Sequence, residues 1–244
     1  MYSHSELQHN IISPKEIIPF LVSIFAPKSV LDVGCGIGTW LYVFKQNGIE
    51  NILGIDGEYV NKDLLYKYIA PEEFKGIDLS KPFDLQDKFD IVISLEVAEH
   101  LPLSCAELFI DSLCKHSDTI IFSAAVPSQD GQHHLNEQWP SYWGKLFEKQ
   151  GYTCYDLIRP KIWNNPKVDV WYKQNMFVYS KQKLAAEPSI ILDCIHPDYW
   201  VHRNNKIASA DKLLKRIKEG KVGLAFYIKA IFKSLFFLGR KVDE

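Results

Sequence analysis

A short apolar run, Val30-Leu31-Asp32-Val33, leads directly into the turn Gly34-Cys35-Gly36-Ile37-Gly38-Thr39. The run is too short for a typical helix and is bounded by turn residues, so it reads as a buried strand. In an open α/β sheet, ligands bind beyond the strand C-termini, where glycine lets the backbone approach them closely. Gly34, Gly36 and Gly38 therefore predict a cradle. Their Gly-x-Gly-x-Gly spacing departs from the Gly-x-Gly-x-x-Gly of dinucleotide-binding turns.

The rest of the chain supplies the alternation that such a turn requires. A helix is predicted over 14–25, with Ile17, Ile18, Leu21, Val22 and Phe25 on one face, and Pro27 resets the chain after it. A second helix spans 39–47 and stops at Gly48, because glycine tolerates the left-handed conformation common beyond helix ends. Strands follow at 51–55, 74–77, 89–94 and 119–124, then a helix over 136–150 ended by Gly151. Two late strands, 152–158 and 175–179, read as an antiparallel edge. Strands alternating with helices call for crossover connections, hence a largely parallel sheet covered on both faces. This body is expected over 1–183. An extension over 184–244 begins with an ordered aromatic loop at His196-Pro197-Asp198-Tyr199-Trp200 and continues as a helix at 209–219 capped by Gly220.

Composition sets the outer limits. The 244 residues are 47% hydrophobic and 24% charged, which is globular rather than disordered or fibrous. Five cysteines without short paired spacing suit a reducing compartment, and the polar start lacks a basic segment followed by an apolar run, so a cytoplasmic location is expected. The net charge of -2 is uneven. Residues 206–241 hold ten Lys or Arg against two acids, which leaves the body strongly acidic. An anionic partner would meet the tail rather than the body.

Acidic residues recur where the sheet ends. Asp32 sits at the end of the first strand, Asp56 follows the second in Gly54-Ile55-Asp56, and Asp78 follows the third in Gly76-Ile77-Asp78-Leu79. Together with the glycine turn they resemble the first three cofactor motifs of the class I S-adenosylmethionine (SAM)-dependent methyltransferases, over about residues 28–180. The resemblance implies a Rossmann-like α/β fold with a seven-stranded, largely parallel sheet, helices on both faces and a C-terminal helical extension. It also implies SAM as cofactor, with Asp32 near its amino acid portion, Asp56 on the ribose hydroxyls and Asp78 on the adenine amino group. Gly34, Gly36, Gly38, Leu79 and Leu95 would complete that site.

The fourth strand runs into Ser94-Leu95-Glu96-Val97-Ala98-Glu99-His100. On a helix, Glu96, Glu99 and His100 share one face, and two carboxylates with an imidazole suit a divalent cation. A further ligand could come from Gly131-Gln132-His133-His134-Leu135-Asn136-Glu137. The set is similar to the metal site of small-RNA 2'-O-methyltransferases, and a related arrangement occurs in ubiquinone-pathway O-methyltransferases. That resemblance implies a Mg or Mn ion on Glu96, Glu99, His100 and His134. His133 would take the acceptor proton; donating a hydrogen bond to a metal ligand, or lying merely exposed, are the alternatives. The RNA enzymes have adjacent Glu and Trp where Gln138 intervenes here, which leaves the roles of His133 and His134 open. In methyltransferases without metal the same Glu-His pair orders the active-site wall, and a histidine can then act as base.

For the acceptor, Asn136-Glu137-Gln138-Trp139-Pro140 and Trp171-Tyr172-Lys173-Gln174-Asn175 resemble segments of bacterial methyltransferases associated with cell-surface polysaccharide production. This implies a hydroxylated carbohydrate, in a glycan, nucleotide sugar or related precursor. Trp139 or Tyr142 would serve the pocket, whereas Trp143, Leu146 and Phe147 have core spacing. The competing readings are RNA ribose 2'-O-methylation, methylation of another small hydroxylated metabolite, and a noncatalytic SAM-binding module. Nucleic acid is disfavoured by the acidic body, and Lys212, Lys215, Arg216 and Lys218 read as a solvated helix face. The apolar tail over 222–238, with Lys229 and Lys233 four residues apart and Phe226, Phe232, Phe236 and Phe237 among its apolar residues, is expected to pack on protein, form a homo-oligomer contact or meet a membrane surface. Its charges argue against a spanning helix.

Overall fold

The computed structural model describes residues 10–191 and 193–237. The polar start through His9, the end of the apolar tail beyond 237 and the side chains of Phe236 and Phe237 lie outside the described residues. In chain order the elements are α1 (Ile12–Phe25), β1 (Ser29–Val33), α2 (Thr39–Gln46), β2 (Asn51–Asp56), α3 (Lys62–Leu65), β3 (Phe74–Gly76), β4 (Ile91–Leu95) and α4 (Ala106–Cys114). They continue as β5 (Thr119–Ser123), α5 (Pro140–Lys149), β6 (Thr153–Tyr155), α6 (Arg159–Ile162), α7 (Val170–Asn175), β7 (Phe177–Ser180), α8 (Pro197–Lys218) and α9 (Leu224–Phe237).

The strands form one seven-stranded sheet in the order β3-β2-β1-β4-β5-β7-β6, and β7 runs antiparallel to both its neighbours. The expected Rossmann-like sheet is therefore present, with its antiparallel strand one place in from the edge. Register fixes which side chains meet: Leu31 lies beside Leu53 and Val92, and Asp32 beside Gly54 and Ile93. Because strand side chains alternate, Val30 joins a core with Ile17, Ile18, Leu21, Leu41 and Phe44 on one face. Leu31 and Val33 join Phe109, Leu113, Phe122 and Phe147 on the other. Phe147 stacks on Tyr179 at 4.0 Å between ring centroids, and burying each such ring contributes about 1.5–3 kcal/mol. Trp143 packs against Phe122 and is 2% exposed, the core role its spacing predicts.

Three local outcomes differ from the sequence reading. The crossover helix α4 is additional; Ala106, Phe109, Ile110 and Leu113 bury one face of it, at helical spacing. His196-Pro197-Asp198-Tyr199-Trp200 is not a loop, because α8 starts at Pro197, where the missing N–H costs nothing, with Asp198 in its first turn. The first compact unit also runs past the expected boundary at 183, to His196. Ser189 N donates to the Cys154 carbonyl at 2.9 Å, Ser141 Oγ to Asp193 at 2.6 Å and Gln174 Nε2 to the Cys194 carbonyl at 2.5 Å, which tie 184–196 to the sheet domain. The second unit, from Pro197, comprises α8 and α9 joined through Gly220 and Gly223 at φ 72° and 98°. Among the described residues no helix is long and apolar enough to cross a membrane.

Candidate active site

At the C-terminal end of β1 the chain leaves the sheet through Gly34, Gly36 and Gly38, whose φ values are 85°, 52° and 79°. The turn is held by its neighbour strand. Gly34 N donates to the Ile55 carbonyl at 2.8 Å, and Gly36 N donates to Asp56 Oδ2 at 2.8 Å. The other Asp56 oxygen accepts from Gly57 N at 2.6 Å. A Cβ on Gly34 would lie 2.3 Å from Val97 Cγ2, so the first cradle residue is fixed by space as well as by φ. Gly38 differs from the other two: it caps α2 and packs near Leu65 and Ile69, and it does not line the cavity.

A cavity of about 320 Å³ opens over this turn. Its walls include Asp32, Gly34, Gly36, Asp56, Asp78, Leu79 and Leu95, so all the expected cofactor residues except Gly38 converge on one space. Asp32 is 3% exposed, and burial, with Asp56 nearby, pushes its carboxyl well above the ordinary range. Its Oδ2 has no hydrogen-bond partner among the described residues, as expected of a carboxylate oriented for a ligand. Asp78 is exposed at the rim. Its carboxyl, which accepts from Ser80 Oγ at 2.6 Å and pairs with Lys81 at 2.9 Å, is held down to about 2, chiefly by these partners.

The second part of the site lies where β4 ends. The sequence reading puts Glu96, Glu99 and His100 on one helical face, but the backbone turns instead at Glu96, whose φ is 57°, and only a short 3-10 turn follows at Ala98–His100. Glu99, His100 and His134 come together, with one candidate ligand atom from each within 4.8 Å of the others. Glu96 stands outside that group, and its carboxylate accepts from Gln129 Nε2 at 2.6 Å and Asn175 Nδ2 at 3.1 Å. Asn175 Nδ2 also donates to Gln129 Oε1 at 2.8 Å, closing a triangle among β4, the loop after β5 and the end of α7.

Non-local backbone bonds bring His134 to the cluster. Leu135 N and Asn136 N donate to the Glu99 carbonyl at 2.7 and 3.0 Å, which pins the histidine loop against the β4 end. Glu137 accepts from Ser128 N at 2.6 Å and Asp130 N at 3.1 Å, and also contacts His134 Nδ1 at 2.7 Å. A proton on Nδ1 would leave Nε2 with its lone pair, and an imidazole oriented by a carboxylate in this way is the usual arrangement of a metal-ligating histidine. The rings of His100 and His134 meet edge to face at 4.9 Å. Burial, and then the proximity of His134, lowers His100 to about 4. Glu99 is 1% exposed and is pushed well up by burial and then by Glu96, and its Oε2 has no partner among the described residues. A buried carboxylate oxygen and two imidazoles facing one another fit a divalent cation.

His133 has φ 60°, is exposed and does not line the cavity, whereas its neighbour His134 does. Trp139 and Tyr142 are likewise absent from the cavity wall, because Trp139 precedes the first turn of α5 and is 36% exposed, while Tyr142 packs edge-on against Trp143. The aromatic wall comes from Trp40, Tyr59, Trp171 and Tyr172. Sequence reasoning missed Gln129, Trp40, Tyr59 and Asp130, which stand in no pattern that would mark them, whereas Asn175 ends the 171–175 segment that points to the acceptor.

Comparison with known proteins agrees with this architecture. Residues 7–159 match the family model described as a methyltransferase domain. A ubiquinone biosynthesis O-methyltransferase of Bartonella bacilliformis is 26% identical over 132 residues, covering 52% of this chain and 48% of the relative. The chain thus matches about half the length of that curated relative. Among solved structures, the methyltransferase domain of bacterial CtHen1-C aligns with a TM-score of 0.53 at 18% identity, covering 71% of this chain and 100% of that one. The sugar N-methyltransferase KedS8 from a Streptoalloteichus species aligns with a TM-score of 0.56 at 12% identity, covering 75% of this chain and 96% of that one. At these identities the structural likenesses establish the fold.

Proposed function

The chain belongs to the methyltransferase domain family, and from that premise we propose that it transfers a methyl group from SAM to a hydroxyl oxygen of a carbohydrate. The observation that carries the oxygen chemistry is the Glu99, His100 and His134 cluster opening on the same cavity as the glycine turn. SAM supplies an electrophilic methyl on a cationic sulfonium. A Mg or Mn ion held by Glu99, His100 and His134 would lower the cost of alkoxide character in the acceptor.

The protein's own contributions follow from charge and position. Six acidic side chains line the cavity, namely Asp32, Asp56, Asp78, Glu96, Glu99 and Asp130, with no Lys or Arg among the lining residues; burial disfavours the charged form of Asp32, Glu96 and Glu99, which a cation entering the cavity offsets. Such a field favours a cationic cofactor and a neutral acceptor and opposes a polyanion, which supports a sugar over RNA. Asp56 orders the glycine turn by holding Gly36 N–H, and Asp32 keeps an open oxygen toward the cavity. His134, oriented by Glu137, offers Nε2 either to the cation or, without one, to the acceptor proton. Trp171, Tyr172 and Tyr59 offer apolar faces against which a sugar ring can lie, with Gln129 and Gln132 as hydrogen-bonding partners on the same wall. The curated relative is an O-methyltransferase, which supports oxygen as the accepting atom.

Incubation with methyl-labelled SAM and panels of glycans, nucleotide sugars and RNA, followed by mass analysis, tests the assignment. Label in the carbohydrate fraction is expected. Label in RNA alone would overturn the acceptor, and cofactor binding without transfer to any class would favour a noncatalytic module. Activity should fall on chelation and return with Mg or Mn, whereas unchanged turnover in demonstrably metal-free protein removes the cation from the scheme.

A further inference from the structure

The second unit presents an apolar helix face that the methyl-transfer chemistry does not use. On α9, Leu224, Ile228, Ile231 and Leu235 recur at helical spacing on one face and are 75%, 44%, 59% and 59% exposed, with Phe232 beside them at 60%. Lys229 and Lys233, four residues apart, share the opposite side of the helix, and α9 contains no acid. Within the unit, Tyr227 Oη donates to the Ile217 carbonyl at 2.7 Å and so pins the start of α9 to the last turn of α8. That turn carries Lys215, Arg216 and Lys218. Over 197–237 there are nine Lys or Arg against three acids.

We propose that α9 lies in the plane of an anionic lipid bilayer, with its apolar stripe at the acyl boundary and its lysines among the phosphates. Two physical arguments select this occupant. At 1.5 Å per residue, the 14 described residues of α9 extend about 21 Å, less than the roughly 30 Å hydrocarbon core, and no helix among the described residues is long and apolar enough to span it. A second copy would bring together two units that each carry nine Lys or Arg against three acids, a like-charge cost that anionic headgroups turn into attraction, with the lysine side of α9 facing the headgroups.

The test is flotation of the full chain with phosphatidylcholine vesicles with and without phosphatidylglycerol, alongside sizing by light scattering. Preferential partitioning onto the anionic vesicles, weakened by salt, is expected. Lys229→Glu with Lys233→Glu should reduce it by about tenfold or more, given the usual contribution of each basic residue near an acidic surface. Ile228→Ser with Ile231→Ser should abolish it, and since both sites are solvent-exposed, circular dichroism should show an unchanged fold. Absence of binding, equal binding to neutral vesicles, or wild-type partitioning by either double variant overturns the proposal. So does a concentration-dependent dimer that the isoleucine variant dissociates while vesicles fail to bind.

Discussion

Gly34→Ala is the sharpest probe of the cradle, because two separable costs meet at one atom. The first is conformational: at φ 85° a Cβ costs about 1–2 kcal/mol relative to glycine. The second is steric. The new methyl would sit 2.3 Å from Val97 Cγ2 and 2.7 Å from Cγ1, and Val97 is only 9% exposed, with little room to retreat. Overpacking of this kind costs about 1–3 kcal/mol. The sum, about 2–5 kcal/mol, is a large part of the 5–15 kcal/mol that ordinarily holds a domain together. Val97→Ala removes both offending γ carbons but leaves φ unchanged. Urea denaturation of the two single variants and the double variant should therefore give a coupling of about 1–3 kcal/mol, with the double variant less destabilised than the sum of the singles. Titration with S-adenosylhomocysteine should show weakened binding in Gly34→Ala even where the fold persists. Strictly additive effects would refute the steric half of the reasoning, and a Gly34→Ala protein within about 0.5 kcal/mol of wild type would refute both halves.

Glu99→Gln removes a buried carboxylate whose ionised form burial and Glu96 disfavour. The variant should melt higher, by the 0.5–2 kcal/mol or so typical of relieving a functional site, yet lose transfer by about 100-fold or more, beyond the loss usual for outer partners of a metal. His100 predicts a pH dependence of definite sign. Its folded pKa of about 4 lies below the ordinary 6.5, so the metal-free protein keeps its full contribution above pH 6.5 and loses it as pH falls through 4, by at most about 3 kcal/mol. The buried Asp32 and Glu99, shifted upward, act in the opposite sense, so the measurement is the difference between the denaturation profiles of wild type and His100→Gln. Coincident profiles between pH 7 and 4 would contradict the assignment. Asn175→Ala should cost about 1–3 kcal/mol, because Glu96 and Gln129 each lose a buried donor, and a change below about 0.5 kcal/mol would show that the triangle does not order the site.

What was legible in the sequence was what local patterning controls. β1, β2 and β5 are short apolar runs punctuated by turns, and Asp32 and Asp56 face the cavity because they fall at strand ends, where topology places ligands. Helix α8 was only half legible: its first turns mix aromatic, basic and amide residues without a clear apolar period, and Pro197 starts it only by supplying a first helical position. The second carboxylate and histidine group was harder to read, because spacing alone presumes regular backbone. Helical periodicity puts Glu96 on a face it does not share, since its positive φ sends the chain off the helical path. His134 reaches Glu99 and His100 through two amide bonds to the Glu99 carbonyl, contacts between residues about 36 apart that no local period encodes.

Glu96, Ser128 and Asp130, with φ of 57°, 68° and 62°, are all non-glycine residues in the left-handed region, and all border the cavity or its supporting loop. Each such residue costs on the order of 1–3 kcal/mol and persists only where surrounding bonds overdetermine it. Those bonds can be named: Gln129 and Asn175 on the Glu96 carboxylate, and Glu137 on the amides of Ser128 and Asp130. Glu137 thus offsets the strain of two residues while also orienting His134. Its replacement should release the loop and the imidazole together, whereas loss of His134 alone should leave the loop amides held. The part of the site that sequence patterning describes least well is therefore the part that depends most on long-range hydrogen bonds for its shape.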